Sequence, residues 1–107
     1  MAYKILGQST PTSSLDTDVY TVPVGKEAVI STITVCNLSG SLCTYRIAAR
    51  QNGEAIQSKH YIVHDADITT AETIALTFGI TLSENDTITV QSSLSSSLAF
   101  NIFGNES

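Results

Sequence analysis

The chain has 107 residues, of which 5 are basic and 10 acidic, and its formal net charge is −5. A chain of this length fits one domain, over residues 1–107, and buries enough surface for a core without metal or disulfide bridges. The few, scattered basic residues argue against a nucleic-acid partner, because binding phosphate groups requires clustered Lys and Arg. Ser and Thr together supply 28 residues, so the polar surfaces carry hydroxyl groups more than charges.

Short runs in which Val, Ile, Leu, Phe or Tyr alternate with Ser or Thr recur along the chain. Alternation with a period of two is typical of β-strands that bury one face and solvate the other. In chain order, the pattern predicts strands over residues 3–8, 17–22, 27–36, 43–51, 59–64, 73–78, 86–92 and 97–103. We therefore predict an all-β fold, an antiparallel two-sheet sandwich that is jelly-roll-like and has about eight strands.

Turn-forming residues separate the predicted strands. Pro11 follows the first strand, residues 23–25 form a tight turn before the third, and residues 83–86 mark a later turn. Asn52-Gly53 is the strongest hairpin signal, because both central positions of a type I′ turn favour these residues. The sequence shows no linker and no internal repeat, which agrees with one domain.

Membrane association is not expected. No run approaches the ~20 apolar residues that a membrane-spanning helix needs. The first residues, MAYKIL, contain one Lys and too few apolar residues before Gly7 for a signal peptide. The sequence therefore predicts synthesis in the cytoplasm.

Cys36 and Cys43 flank a six-residue turn, and two pairing registers of the adjacent strands are possible. The register that sets Val35 opposite Cys43 gives the more uniform apolar face and turns Cys36 to the other side. It predicts two free thiols, as in a reducing compartment, whereas direct pairing of the two cysteines would permit a disulfide. Neither cysteine has the neighbours of a redox or metal site.

Strand parity predicts which side chains form the core, and it leaves other apolar residues on the opposite faces. The predicted core comprises Val29, Ile33, Val35, Tyr45, Ile47, Tyr61, Val63, Ile74, Leu76, Ile88, Val90, Leu98, Phe100 and Ile102. The off-parity apolar residues are either singly exposed or part of a subunit interface. With the N-terminal segment, which could add to the sheet edge of a neighbour, the interface candidates are Tyr3, Ile5, Ile30, Ala48, Ile62, Ala75 and Phe103.

Residues with catalytic or metal-binding chemistry are few. His60 and His64 would stand ~13 Å apart in an extended strand, at ~3.3 Å per residue, which is too far to share a metal. Asp65 and Asp67 have a spacing seen in some glycosidases, but no Trp accompanies them, and turn capping is the simpler interpretation. We predict no catalytic, cofactor-binding or metal-binding residues and no enzyme activity. An enzyme would require Asp65, Asp67, His60 or His64 to cluster in a pocket.

Eight segments that span most of the chain follow one another as AYKILGQ at residues 2–8, VYTVPVG at 19–25, STITVCN at 31–37, YRIA at 45–48, KHY at 59–61, IALTFGITL at 74–82, DTITV at 86–90 and FNIFG at 100–104. In this order they resemble small virion structural proteins of tailed bacteriophages. Cys43 and the second half of residues 52–58, which is more polar than expected, depart from the pattern. The resemblance implies a head-, neck- or tail-associated β-sandwich protein, present in many copies and assembled in the host cytoplasm.

The function implied by this resemblance is structural. We expect a multi-copy capsid- or tail-associated module that contacts other virion proteins and forms a homo-oligomer, with a trimer as the first expectation, and no cofactor. The alternative is a carbohydrate- or receptor-binding module of a phage fibre, which would use the loops at residues 38–42 and 92–97.

Overall fold

A computed structural model describes residues 3–13 and 15–107. These residues form eight strands arranged as two four-stranded antiparallel sheets. Two short 3₁₀ turns, Gln51–Gly53 and Ser58–His60, lie between the fourth and fifth strands. The strands are β1 (Lys4–Ser9), β2 (Thr17–Thr21), β3 (Ala28–Asn37), β4 (Cys43–Arg50), β5 (Tyr61–Ile68), β6 (Thr73–Leu82), β7 (Thr87–Ser92) and β8 (Leu98–Glu106).

The strand order is that of a jelly roll. One sheet, called sheet I here, has the order β1-β8-β3-β6, and the other, sheet II, has the order β2-β7-β4-β5. Every connection crosses from one sheet to the other except the one between β4 and β5, which pair as a hairpin. The predicted two-sheet sandwich is therefore confirmed.

The fifth, sixth and eighth strands continue three or four residues beyond their predicted ends. In β5 the positive φ of Asp65, 51°, breaks the alternation, yet pairing with β4 continues to Ile68. Asn52 and Gly53 have φ of 54° and 66°, the left-handed values that favour this dipeptide. They lie within a longer connection between β4 and β5, so they form no two-residue hairpin turn.

The core lies between the sheets, and most of the predicted core residues are buried in it. Val63, Ile74 and Leu76 are half-buried and pack against its edge. The fully buried large side chains include Phe100, Ile30, Ile33, Ile47, Ile68, Ile88, Leu98, Ile102, Val22, Val35 and Val90.

A β-bulge in β3 corrects two of the predictions. The register of β3 against β6 and β8 shifts between Ile30 and Thr32, so the alternation reverses there. Ile30 consequently points into the core with no exposed surface, and Val29 is only half-buried and lies outside the core cluster. Tyr61, also predicted as core, is half-buried with the Arg46 guanidinium 5.6 Å from its ring centre.

The cysteine registers considered from sequence both fail, because β3 and β4 do not pair. β3 lies between β8 and β6 in sheet I, whereas β4 lies between β7 and β5 in sheet II. Cys36 and Cys43 are free thiols; Cys43 is buried and Cys36 is half-buried.

Candidate interaction surfaces

Sheet I is almost free of charge. Its four strands contain two charged residues, Lys4 and Glu106, whose side chains lie 3.9 Å apart at one end of the sheet. Ile5 and Phe103 are cross-strand neighbours, and the amide of Gln8 donates a 2.6 Å hydrogen bond to Asn101. The outer face is thus covered by amide, hydroxyl and apolar groups.

The β6 strand forms one edge of sheet I and pairs only with β3 among the described strands. Its burial alternates without interruption from Thr73 to Thr81. The outward-facing residues are Thr73, Ala75, Thr77, Gly79 and Thr81. The alternate residues Ile74, Leu76, Phe78 and Ile80 are half-buried and pack against the core.

Sheet II carries paired charges on its outer face. The Arg46 guanidinium donates two hydrogen bonds to the Asp65 carboxylate, from Nε at 2.6 Å and from Nη2 at 3.0 Å. This bidentate contact lowers the pKa of Asp65 and raises that of Arg46, so both stay charged near neutral pH. The His64 ring packs edge-on against Tyr61, with ring centres 4.9 Å apart.

A second network lies on the same face. Arg50 Nη2 donates to Asp18 at 2.9 Å, and Arg50 Nε donates to the hydroxyl of Thr89 at 3.0 Å. The Thr89 hydroxyl in turn donates to Asp18 at 2.8 Å. Because these charged side chains bind one another, fewer of them are left to bind a ligand. The turn-capping interpretation of Asp65 is wrong, because its carboxylate pairs with Arg46.

Asn37 organises the loops at one end of the sandwich, a role that the sequence analysis missed. Its side-chain amide is buried and donates to the carbonyl oxygens of Ser41, Ile68 and Thr69 at 2.9–3.1 Å. Its Oδ1 accepts hydrogen bonds from the backbone and the hydroxyl of Ser39. One side chain thereby joins the β3–β4 and β5–β6 connections.

The four connections after β1, β3, β5 and β7 meet at this end, which we call the loop end. Leu38 N–H donates to Ser97 O at 2.7 Å, and Ser96 N–H donates to Pro11 O at 3.1 Å. The charged residues of these connections are Asp16 and Glu72, both acidic, and the connections contain no Lys or Arg. The large apolar side chains exposed there are Leu15, Leu38, Leu42 and Leu94.

The histidines and aspartates considered for catalysis do not form a common site. His60 Nδ1 accepts from the Gln57 backbone N–H at 2.9 Å, so Nε2 carries the proton and donates to Glu54 at 3.2 Å. This hydrogen bond, with the charge of Lys59, lowers the pKa of Glu54. His60 is buried in the β4–β5 connection, whereas His64 is exposed on β5.

No enclosed active-site cavity is formed by these groups. Asp65 borders an open hollow together with Thr44, Tyr45, Arg46, Gln91 and Ser93, but its carboxylate is held by Arg46. Among residues 3–13 and 15–107, no three His, Cys, Asp or Glu side chains converge as metal ligands do. In the same residues, no helix has the length and apolar character required to cross a bilayer.

The structure separates the predicted interface residues into three groups. Ile5, Ala75 and Phe103 lie on sheet I, and Tyr3, 67% exposed, precedes β1. Ile62 is exposed on β5 in sheet II. Ile30 and Ala48 are corrected, because both are buried: Ile30 lies in the core, and Ala48 lies between the larger side chains of Arg46 and Arg50 along β4.

Comparison with known proteins yields no relative: no protein-family model, no curated protein and no solved structure matches the chain.

Proposed function

We propose that this protein is a bacteriophage virion structural protein, a multi-copy capsid- or tail-associated module that acts through self-association and contacts with other virion proteins. The assignment to a phage particle rests on the sequence resemblance. The assignment to a contact role rests on the distribution of charge in the fold.

The observation that carries the contact role is that sheet I is almost free of charge, with Lys4 and Glu106 paired at one end. Burying a charged group without a partner is costly, whereas apolar and hydroxyl groups enter a protein contact with a small desolvation penalty. In sheet II, four charged residues, Arg46, Asp65, Arg50 and Asp18, are instead joined in two ion pairs. The chain therefore offers one face suited to contacts with other proteins.

Sedimentation equilibrium of the purified protein over a wide concentration range tests self-association. We expect a species heavier than the 11.4 kDa chain. A single species of 11.4 kDa at the highest soluble concentration would contradict self-association.

Quantitative peptide mass spectrometry of density-purified phage particles, from an infection by the phage that encodes the chain, tests virion membership. We expect peptides of this protein in many copies per particle. Their loss during purification, while the major capsid protein is retained, would reject a virion role.

A second candidate function is a carbohydrate- or receptor-binding module of a phage fibre. The specific observation in its favour is that the candidate binding loops at residues 38–42 and 92–97 meet at the loop end through the Leu38–Ser97 hydrogen bond. A glycan array would support it if selective binding is lost in Leu42→Asp and kept in Val24→Asp. Val24 is the matched control because it is also exposed but lies in the β2–β3 connection at the opposite end.

A further inference from the structure

The β6 edge differs from the other three sheet edges. Natural proteins protect exposed edges with charges, bulges or short strands, because an open edge presents backbone N–H and C=O groups to another chain. The β5 edge carries Asp65 and Asp67, and the five-residue β2 edge carries Asp18. The β1 edge has six residues, with Lys4 and a register shift.

By contrast, β6 is ten residues long and contains no charged residue and no proline. Its pairing with β3 shifts register between Thr77 and Ile80, but its own alternation of exposed and half-buried side chains is unbroken. Its half-buried apolar side chains lie at the margin of the core, where a further strand would cover them. In a chain of net charge −5, β6 is the long edge at which two copies approach without opposed carboxylates. These features favour a second copy as the occupant of this edge.

The sequence of β6 is also nearly symmetric about Thr77. Residues 73–81 read TIALTFGIT, so an antiparallel pair centred on Thr77 sets each residue opposite one of similar size and chemistry. On the outer face, Thr73 would lie opposite Thr81, and Ala75 opposite Gly79. On the core side, the pairs would be Ile74 with Ile80 and Leu76 with Phe78, which are favourable cross-strand combinations.

We infer that two copies of the chain pair through their β6 edges, antiparallel and about a two-fold axis at Thr77. The two copies of sheet I then form one eight-stranded sheet. The inference deepens the proposed function and rests on its self-association. A two-fold contact uses the same strand on both subunits and closes at two copies. It differs from the trimer that the resemblance implies, which would require two different surfaces.

A charge at the axis tests the pairing. Thr77→Lys places two ammonium groups opposite each other, and because Thr77 is exposed the fold should be retained, as circular dichroism can verify. We expect the dimer dissociation constant to rise at least about tenfold in sedimentation equilibrium. Thr34→Lys is the matched control, because Thr34 is also a threonine of sheet I but lies on the central strand β3. It should leave the dimer intact.

Disulfide capture tests the register, in a Cys36→Ser background. Residues opposite each other in an antiparallel pair have Cα atoms ~4.5–5.5 Å apart, within disulfide reach, so Thr77→Cys should form a covalent dimer on mild oxidation. Ala75→Cys is the control, because the two copies of residue 75 would be four positions apart, at ~13 Å. It should not cross-link.

The outcomes separate the inference from the proposed function. An oligomer that persists in Thr77→Lys, with no cross-link in Thr77→Cys, would overturn the β6 pairing and leave self-association standing. Loss of the dimer in Thr34→Lys, preferential cross-linking of Ala75→Cys, or a mass of three chains would also overturn the pairing. A wild-type monomer at every concentration would reject both.

Discussion

The hydroxyl of Tyr20 donates a 2.6 Å hydrogen bond to the carboxylate of Glu106. Tyr20 lies on β2 in sheet II and Glu106 lies at the end of β8 in sheet I, so this bond joins the two sheets directly. Burial, followed by the hydrogen bond to Glu106, raises the pKa of Tyr20 well above its usual value. Tyr20 therefore remains a donor throughout the pH range in which the protein is handled.

Tyr20→Phe should destabilise the fold by about 1–2 kcal/mol, since a hydrogen bond to a charged acceptor is lost while the ring stays packed. Urea unfolding at neutral pH, followed by circular dichroism, measures the change. Glu106→Gln keeps an acceptor and should lose less. Equal midpoints for Tyr20→Phe and the wild type would show that the bond contributes nothing.

Gly104→Ala should be strongly destabilising, by about 3 kcal/mol or more. A Cβ at this position would collide with the carbonyl oxygen of Val29 and approach Ile30 Cα. Gly104 pairs with Ile30, directly beside the bulge of β3. Gly79→Ala is the matched control in the same sheet, because its Cβ would meet nothing within 4 Å. Thermal unfolding should separate the two variants clearly, and similar melting temperatures would refute the close approach.

Asn37→Ala should cost about 2–3 kcal/mol, because it leaves the carbonyl oxygens of Ser41, Ile68 and Thr69 without their shared donor. In the variant, hydrogen exchange should be faster than in the wild type in the β3–β4 and β5–β6 connections, and unchanged in β7. Ser41→Ala is a suitable control, because its backbone carbonyl, which accepts from Asn37, is kept. Unchanged exchange in Asn37→Ala would contradict the organising role.

Asp65→Asn should remove a pH-dependent part of the stability. The hydrogen bonds from Arg46 lower the pKa of Asp65 in the folded state, so this stabilisation is present above the unfolded pKa of about 3.9 and is lost as pH falls through the folded value. Urea midpoints of the wild type and the variant should differ at pH 7 and converge in strong acid. Asp67→Asn, two positions along the same strand, should show a smaller difference, because Arg46 contacts Asp65. A constant difference at all pH values would exclude the ionised pair as its source.

The alternation of side chains was sufficient to predict the strands, since a half-buried strand must repeat every two residues. It could not predict strand partners. The short connection between Cys36 and Cys43 suggested a hairpin, but the chain crosses from sheet I to sheet II there. The bulge near Ser31 reversed the parity of Ile30, and a bulge leaves no mark in the alternation until the neighbouring strands are known.

The candidate surfaces were predictable only in part. Ile5 and Phe103 were expected at an interface, and the structure makes them cross-strand neighbours. The sequence Asn37-Leu38-Ser39 is consistent with an Asx turn, which the bond from Ser39 N–H to Asn37 Oδ1 forms. The bonds from Asn37 to Ile68 and Thr69 could not be foreseen, because they depend on the approach of a connection remote in sequence.

The position of β8 between β1 and β3 has a kinetic consequence. Lys4 pairs with Gly104, and β8 lies between β1 and β3, so β1 joins sheet I only when β8 is in place. Searching for contacts between such distant segments is entropically slow, and sandwiches of this kind fold in milliseconds to seconds. During that interval sheet I lacks one of its two inner strands, so chaperone binding or dilute conditions should improve the yield of refolding.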